Sequence, residues 1–268
     1  MKIALLGCGN MGMAYAQSFI KHHIVEKANL LLFERHAPRR DALETMALGE
    51  VVAQIDERLS TCNIVILAVK PQDFQVLAAE VKALLSPDAV VLSIMAGLTI
   101  DKIAGALNTN RIVRAMPNSP AQIGMGITAY TATAAVLPEQ LHKIENLLST
   151  TGRTVFIEEE SGMDAVTALS GSGPAYFFYL VKAMVEAGTR MGLEEPVAAM
   201  LVEQTMLGSF HLINNSPLSL DQLILAVASK GGTTEAALSK LGLRQVGEHL
   251  TEAILDAEQR AKVLSQML

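Results

Sequence analysis

Over its first 160 residues the chain alternates short, almost wholly apolar runs with longer stretches in which apolar positions recur every three or four residues. The runs at Lys2–Leu6, Asn29–Phe33, Val51–Ala53, Ile64–Val69, Ala89–Ile94 and Arg111–Ala115 read as strands, because a strand covered on both faces has no polar side to show. The stretches from Met11 to about His23, from Asp73 to Leu85 and from Pro138 to Ser149 carry the helical period. Strands alternating with amphipathic helices imply right-handed crossovers and a mostly parallel sheet, with Gly126–Thr131 and Thr154–Ile157 as closing strands. After Glu158-Glu159-Glu160 the pattern changes. From Gly162 onward only helical periodicity remains, broken at Gly192, at Asn214–Pro217 and at Gly231-Gly232. The expected fold is an α/β domain over residues 1–160 followed by an all-α domain over residues 161–268, with no internal repeat.

The first strand runs into Gly7-Cys8-Gly9-Asn10-Met11-Gly12, the glycine spacing of a dinucleotide-binding turn between a strand and a helix. The first glycine permits the sharp turn, the second lets backbone N–H groups approach a pyrophosphate, and the third lets the helix pack close to the strand. A helix start here adds partial positive charge, so Gly7, Gly9, Asn10, Met11 and Gly12 become candidate cofactor contacts in a Rossmann domain. The second strand ends at Glu34-Arg35. A carboxylate in that region suits the ribose hydroxyl of NAD, whereas an arginine suits the 2′-phosphate of NADP. Both are present, with Arg39 and Arg40 one helical turn further. Arg35 inclines the choice towards NADP and leaves NAD open, while Arg39 and Arg40 fit equally well as solvated charges at a helix start.

Composition narrows the partners. The net charge is −6 and the isoelectric point near 5.5, so there is no overall basic surface to attract nucleic acid. The two cysteines, Cys8 and Cys62, lie in no metal-binding spacing and cannot form a disulfide framework, which fits a reducing cytoplasm. The apolar start stops at a glycine turn rather than continuing as a secretory signal. Ala165–Val181 is uncharged but falls short of the roughly 20 apolar residues that span a bilayer, and it contains Gly171-Ser172-Gly173-Pro174. A buried helix is expected there, and no membrane partner. The mean hydropathy of +0.33 is accounted for by parallel strands covered on both faces together with a helical subunit interface, which points to a homo-oligomer.

Ligands of open α/β sheets sit beyond the carboxyl ends of the strands, which singles out Ala68-Val69-Lys70-Pro71, Ala96-Gly97 and Met116-Pro117-Asn118. In the helical half, Leu169 to Tyr176 places glycine and proline inside an apolar helical pattern, as a close approach of backbone to a ligand or helix would require. Further on, Ser229-Lys230-Gly231-Gly232-Thr233-Thr234 opens a helix with several N–H donors and hydroxyls, a site for a small carboxylate or else a plain threonine cap. None of the histidines falls in these loops, and no metal-ligand cluster is visible. A nicotinamide cofactor brings the hard chemistry itself, so an acceptor needing little acid catalysis from the protein fits best.

Taken in order, Gly7 to Gly12, Ala68 to Pro71, Arg114 to Asn118, Leu169 to Tyr176 and the segment Leu223–Leu241 resemble pyrroline-5-carboxylate reductases along essentially the whole chain. The resemblance implies a Rossmann domain that binds NADPH or NADH, with Ala68, Val69, Lys70, Pro71, Ala96 and Asn118 on the cofactor side. It further implies an all-helical domain that dimerises with a second copy, with higher homo-oligomers possible. The implied reaction is hydride transfer to the C=N carbon of 1-pyrroline-5-carboxylate, giving L-proline. Carried over residue by residue, Ser229 and the amides of Gly231, Gly232 and Thr233 would hold the substrate carboxylate. Thr234 would reach the ring nitrogen, and Glu160 matches an acidic position near the family's active site.

Two rivals remain from the sequence. A 3-hydroxyacid dehydrogenase would require a lysine four residues after the glycine turn of the helical domain, where this chain has Phe177. A non-catalytic sensor of cofactor redox state would have no use for the Gly231–Thr234 anion site.

Overall fold

In the computed structural model, which describes residues 1–267, eight strands form one sheet in the order β3-β2-β1-β4-β5-β6-β7-β8. They are β1 (Ile3–Leu6), β2 (Leu30–Phe33), β3 (Glu50–Val52), β4 (Ile64–Leu67), β5 (Val90–Ser93), β6 (Ile112–Met116), β7 (Gly126–Ala132) and β8 (Gly152–Phe156). The helices of this part are α1 (Asn10–Lys21), α2 (Ala37–Met46), α3 (Pro71–Leu84), α4 (Ile100–Leu107), α5 (Pro138–Ser149) and the single turn α6 (Met163–Val166).

Alternation along each central strand builds two cores. Ile3 and Leu5 of β1 pack with Tyr15 and Phe19 of α1 and with Ile144 and Leu147 of α5. Ala4 and Leu6 face the other way, towards Phe74 and Val81 of α3 and Ile103 of α4. Both faces are dry, which is why β1, β2 and β4 are wholly apolar in sequence.

The sheet is parallel from β3 through β6, but β7 runs antiparallel to β6 and parallel to β8. The connection from β6 to β7 is a tight 3₁₀ turn, Ser119–Ile123, too short for a crossover, so the chain must return antiparallel. Helix α4 has no counterpart among the expected elements. It is only eight residues long, and Thr99 caps it by accepting from the Lys102 N–H at 3.4 Å.

Two compact units emerge. The first comprises Met1–Ser172 together with residues from Ala257 onward, and the second is Gly173–Asp256. Of the glycines that interrupt the apolar pattern near residue 170, Gly171 closes a π-helical turn, Thr167–Gly171, in the first unit, and Gly173 opens the first helix of the second. The second unit contains α7 (Gly173–Arg190), α8 (Glu195–Asn215), α9 (Leu220–Val227), α10 (Thr233–Leu243) and the start of α11 (Val246–Met267). The breaks fall where the sequence places them, with a further one at Gln245, which takes a positive φ of 51°.

Within this unit Gly188 of α7 lies against Ala198 of α8, and Phe177 meets Phe210 edge-on with centroids 5.6 Å apart. Ala198 is the buried hydrophobic residue of the unit, whereas Phe178, Tyr179 and Leu225 are each about two-thirds exposed or more. Among the described residues no helix is long and apolar enough to cross a membrane.

Candidate active site

A cleft of about 660 Å³ opens in the first unit where β1 gives way to α1. Gly7 adopts a φ of 103°, and its missing side chain would overlap the Ala68–Val69 peptide at 2.8 Å. A methyl on Gly12 would collide with the Gly7 carbonyl oxygen, so this third glycine is required by helix-to-strand packing. Gly9 differs. It has an ordinary φ of −70°, and a methyl placed on it would meet nothing within 4 Å. The fold therefore does not demand glycine at this position, but a ligand lying close to the backbone would.

Gly9 is also the N-cap of α1 and contributes no capping side chain. The first intrahelical bond runs from the Met13 N–H to the Gly9 carbonyl at 2.9 Å. The preceding amides of Asn10, Met11 and Gly12 are therefore left for an external acceptor.

Of the cofactor residues expected from sequence, Gly7, Gly9, Asn10, Met11, Arg35, Ala68, Val69 and Lys70 line this cleft together. Gly12, Pro71, Ala96 and Asn118 do not line it. Pro71 occupies the first turn of α3, whose N-cap is Lys70, so the Lys-Pro pair both caps a helix and edges the cleft. The Asn118 side chain braces two segments: its Oδ1 accepts from the Ile127 N–H at 3.0 Å, and its Nδ2 donates to Ser170 Oγ at 3.4 Å. The cleft also gathers residues outside the sequence-derived set, notably Arg39, Asp73 and an apolar wall of Ala53, Ile55, Val76 and Leu77. Arg39 had a signal, its charge one turn after Arg35; the wall had none.

The far end of the cleft is charged. Glu34 is buried, its Oε1 accepts from the His36 N–H at 2.9 Å, and its Oε2 lies 3.8 Å from Arg39 Nη1. Burial, with the Glu34 carboxylate second, pushes the Cys8 thiol up to about 12, so it stays protonated. Arg35 donates through Nη2 to Glu80 Oε1 at 2.7 Å. Arg40 turns away to donate to the Arg35 carbonyl at 2.6 Å, which fixes the main chain of the loop.

In the second unit, Gly231 takes a φ of 72° and Gly232 is the N-cap of α10, again without a capping side chain. The Gly232 N–H donates to the Ser229 carbonyl at 2.9 Å and the Gly231 N–H to Glu235 Oε2 at 2.6 Å, so the two amides that the sequence offers to a carboxylate are engaged within the turn, because the chain folds back on itself before the helix starts. Helical bonding begins only with the Ala236 N–H, which donates to the Gly232 carbonyl at 3.2 Å. The amides of Thr233, Thr234 and Glu235 are the donors left over, beside the Thr234 hydroxyl.

Glu160 lies in neither place. Its Oε1 accepts from Arg114 Nη1 at 2.7 Å and from the Ile100 N–H at 2.8 Å. Arg114 is a buried guanidinium on β6 whose Nη2 lies 3.6 Å from Asp164 Oδ1. Among the described residues no group of three or more histidine, cysteine or acidic side chains could hold a metal ion.

Comparison with known proteins adds the remaining observations. The family model described as pyrroline-5-carboxylate reductase dimerisation matches residues 160–264, and one described as NADP oxidoreductase coenzyme F420-dependent matches residues 2–97. Pyrroline-5-carboxylate reductase from Pseudomonas aeruginosa is 32% identical over 268 residues, covering 100% of this chain and 98% of its own. That from Synechocystis sp. is 34% identical over 270 residues, covering 99% of each. The crystal structure of pyrroline carboxylate reductase from Plasmodium falciparum with NADP bound is 27% identical, with a TM-score of 0.89 over 99% of this chain and 98% of that one.

Proposed function

We infer, from the premise that the chain belongs to the pyrroline-5-carboxylate reductase family, which of its residues carry the reaction. The enzyme is an NAD(P)H-dependent imine reductase that converts 1-pyrroline-5-carboxylate to L-proline, with NADP as cofactor. The cleft fits that cofactor on two observations: the space above Gly9 that a side chain would fill, and the free amides of Asn10, Met11 and Gly12 at the start of α1. When bound, the reduced nicotinamide supplies the hydride.

The chain's own residues bind, orient and exclude. The α1 amides take the pyrophosphate, Lys70 and the Ala68–Val69 strand end line its path, and Arg35 with Arg39 clamps the 2′-phosphate. At the start of α10, the amides of Thr233 and Thr234 take the substrate carboxylate, with Ser229, Gly231 and Gly232 shaping the turn. The Thr234 hydroxyl orients the ring nitrogen. A cyclic imine that arrives protonated already has an electrophilic carbon, so no side-chain acid is needed and the absence of histidine from these loops follows. Glu160 enters indirectly, by holding Arg114 and the Ile100 amide.

The observation that carries this assignment is the uncapped start of α10, with its free amides beside Thr234. Steady-state turnover of Thr234→Ala tests it. We expect kcat/KM to fall by about ten- to a thousandfold, roughly 1.4 kcal/mol of transition-state stabilisation per tenfold, and an unchanged value removes Thr234 from the mechanism.

The chain self-associates, as its match to a dimerisation family indicates. In the same proposal it forms a homodimer through the second unit. A helical unit with so little buried apolar surface and so many exposed large side chains has its core completed by another copy. Work in the cytoplasm completes the reading and is supported by the free thiols of Cys8 and Cys62.

A further inference from the structure

The reading of Arg35 and Arg39 as a clamp for the 2′-phosphate leaves a third participant without a role. Glu80 lies on α3 one turn beyond Val76, on the helical face that also carries Asp73 and Leu77 to the cleft. Its Oε1 accepts from Arg35 Nη2 at 2.7 Å, while the Arg35 main chain is pinned by Arg40. The pair is solvent-facing, with the Arg35 side chain 53% and the Glu80 side chain 45% exposed. Arg39 has a carboxylate of its own, Glu34 at 3.8 Å. Each cleft-lining arginine is therefore already matched to an acid before any phosphate arrives.

We propose that Glu80 is a specificity-determining residue for the cofactor, an internal counter-ion that the 2′-phosphate must displace from Arg35. A 2′-phosphate carries about −1.5 to −2 charges at neutral pH. To reach the Arg35 guanidinium it must break the Arg35–Glu80 pair and then sit beside a carboxylate of like sign. A dinucleotide with a free 2′-hydroxyl meets neither penalty. Glu80 thus narrows the advantage that the arginines give NADP over NAD and keeps the second cofactor usable. Glu34 is less suited to this part, because its carboxylate is buried and holds the His36 amide, so it serves the loop as well as the charge balance.

The proposal rests on the clamp reading, and the test separates the two. Calorimetric titration of the whole protein with adenosine 2′,5′-bisphosphate and with adenosine 5′-monophosphate isolates the 2′-phosphate without turnover. Glu80→Gln keeps size and an acceptor oxygen but removes the charge. We expect it to tighten the bisphosphate by about three- to tenfold and leave the monophosphate unchanged, with the gain shrinking as salt is raised. The KM ratio of NADPH to NADH should move in step. In an Arg35→Ala background the same substitution should have a clearly smaller effect on the bisphosphate and none on the monophosphate, because only the like-charge repulsion remains once the Arg35–Glu80 pair is gone. Unchanged or weaker bisphosphate binding in Glu80→Gln, or a gain just as large without Arg35, overturns the proposal. If the unaltered protein binds the two ligands equally and Arg35→Ala changes neither, the clamp itself is wrong and the role of Glu80 falls with it.

Discussion

Replacing Glu160 by alanine separates a residue that touches substrate from one that holds the fold. The Arg114 guanidinium on β6 is 4% exposed, and Glu160 supplies its closest carboxylate oxygen at 2.7 Å. Breaking a buried pair by removing one partner costs roughly 3–5 kcal/mol when nothing replaces it. Asp164 remains at 3.6 Å and keeps part of that interaction, which lowers the loss. Against this, the Ile100 N–H at the start of α4 loses its acceptor, worth about 1 kcal/mol more. The net expectation is a destabilisation of about 3 kcal/mol. For a unit of this size each kcal/mol moves Tm by roughly 2–4 °C, so Tm should fall by about 6–12 °C. Thermal unfolding followed by circular dichroism, at fixed protein concentration and without cofactor, measures the shift free of mass-action effects. KM for 1-pyrroline-5-carboxylate, taken well below the new Tm, should change less than about threefold. A Tm within about 2 °C of the original together with a tenfold rise in that KM would refute the reasoning and return Glu160 to the substrate.

Other substitutions probe the cleft. Gly9→Ala should fold with an unaltered Tm, because its methyl meets nothing in the protein, yet lose most of its affinity for NADPH in a fluorescence titration; normal binding would show that no ligand passes close above Gly9. Gly12→Ala should do the reverse and destabilise the fold, since its methyl overlaps the Gly7 carbonyl, and an unchanged Tm would contradict that packing. Arg35→Ala should raise KM for NADPH by about tenfold and barely move that for NADH, the loss of one charge-assisted contact; equal effects would return Arg35 to the solvated surface. Cys8, with its thiol pushed up to about 12, should be silent to thiol reagents at pH 8 in the native protein and react on unfolding. Its folded value lies above the unfolded one, so it leaves stability untouched below about pH 9 and erodes it as pH rises from there towards 12; Cys8→Ser should flatten that alkaline slope, and an identical slope would exclude the thiol as its cause.

The parts of the fold that were legible are those whose cause is local. Strands such as Ile3–Leu6 and Ile64–Leu67 are buried on both faces, so every position is apolar and the run announces itself. The helix Pro138–Ser149 has the same limits in sequence and structure because Pro138 fixes its start and its apolar positions follow one face. Helix α4 is short, yet Ile100, Ile103 and Leu107 keep helical spacing behind the Thr99 cap, so its signal lies in the sequence although the expected elements omit it. The antiparallel return of β7 leaves no mark on the strand itself and is read only from the short connection after Met116, which has no room for a crossover helix.

The candidate site divides along the same line. The sequence by itself determined the two glycine-rich helix starts, at Gly7–Gly12 and at Gly231–Thr234, because the unbonded amides of a first turn follow from the helix start itself, whereas the Gly231 and Gly232 amides are taken by Glu235 and Ser229. Only the tertiary structure decided where the charges are spent. Arg35 finds Glu80 across 45 positions of chain, Arg114 finds Glu160 across 46, and Ser265 donates to Asp164 across 101. Backbone donors are set by neighbours in sequence, whereas the partner of a long charged side chain is set by which distant segment the sheet carries alongside it. The chain could therefore declare that it grips a dinucleotide, while the folded structure alone could show that Arg35 and Arg39 each meet an acid at the cleft.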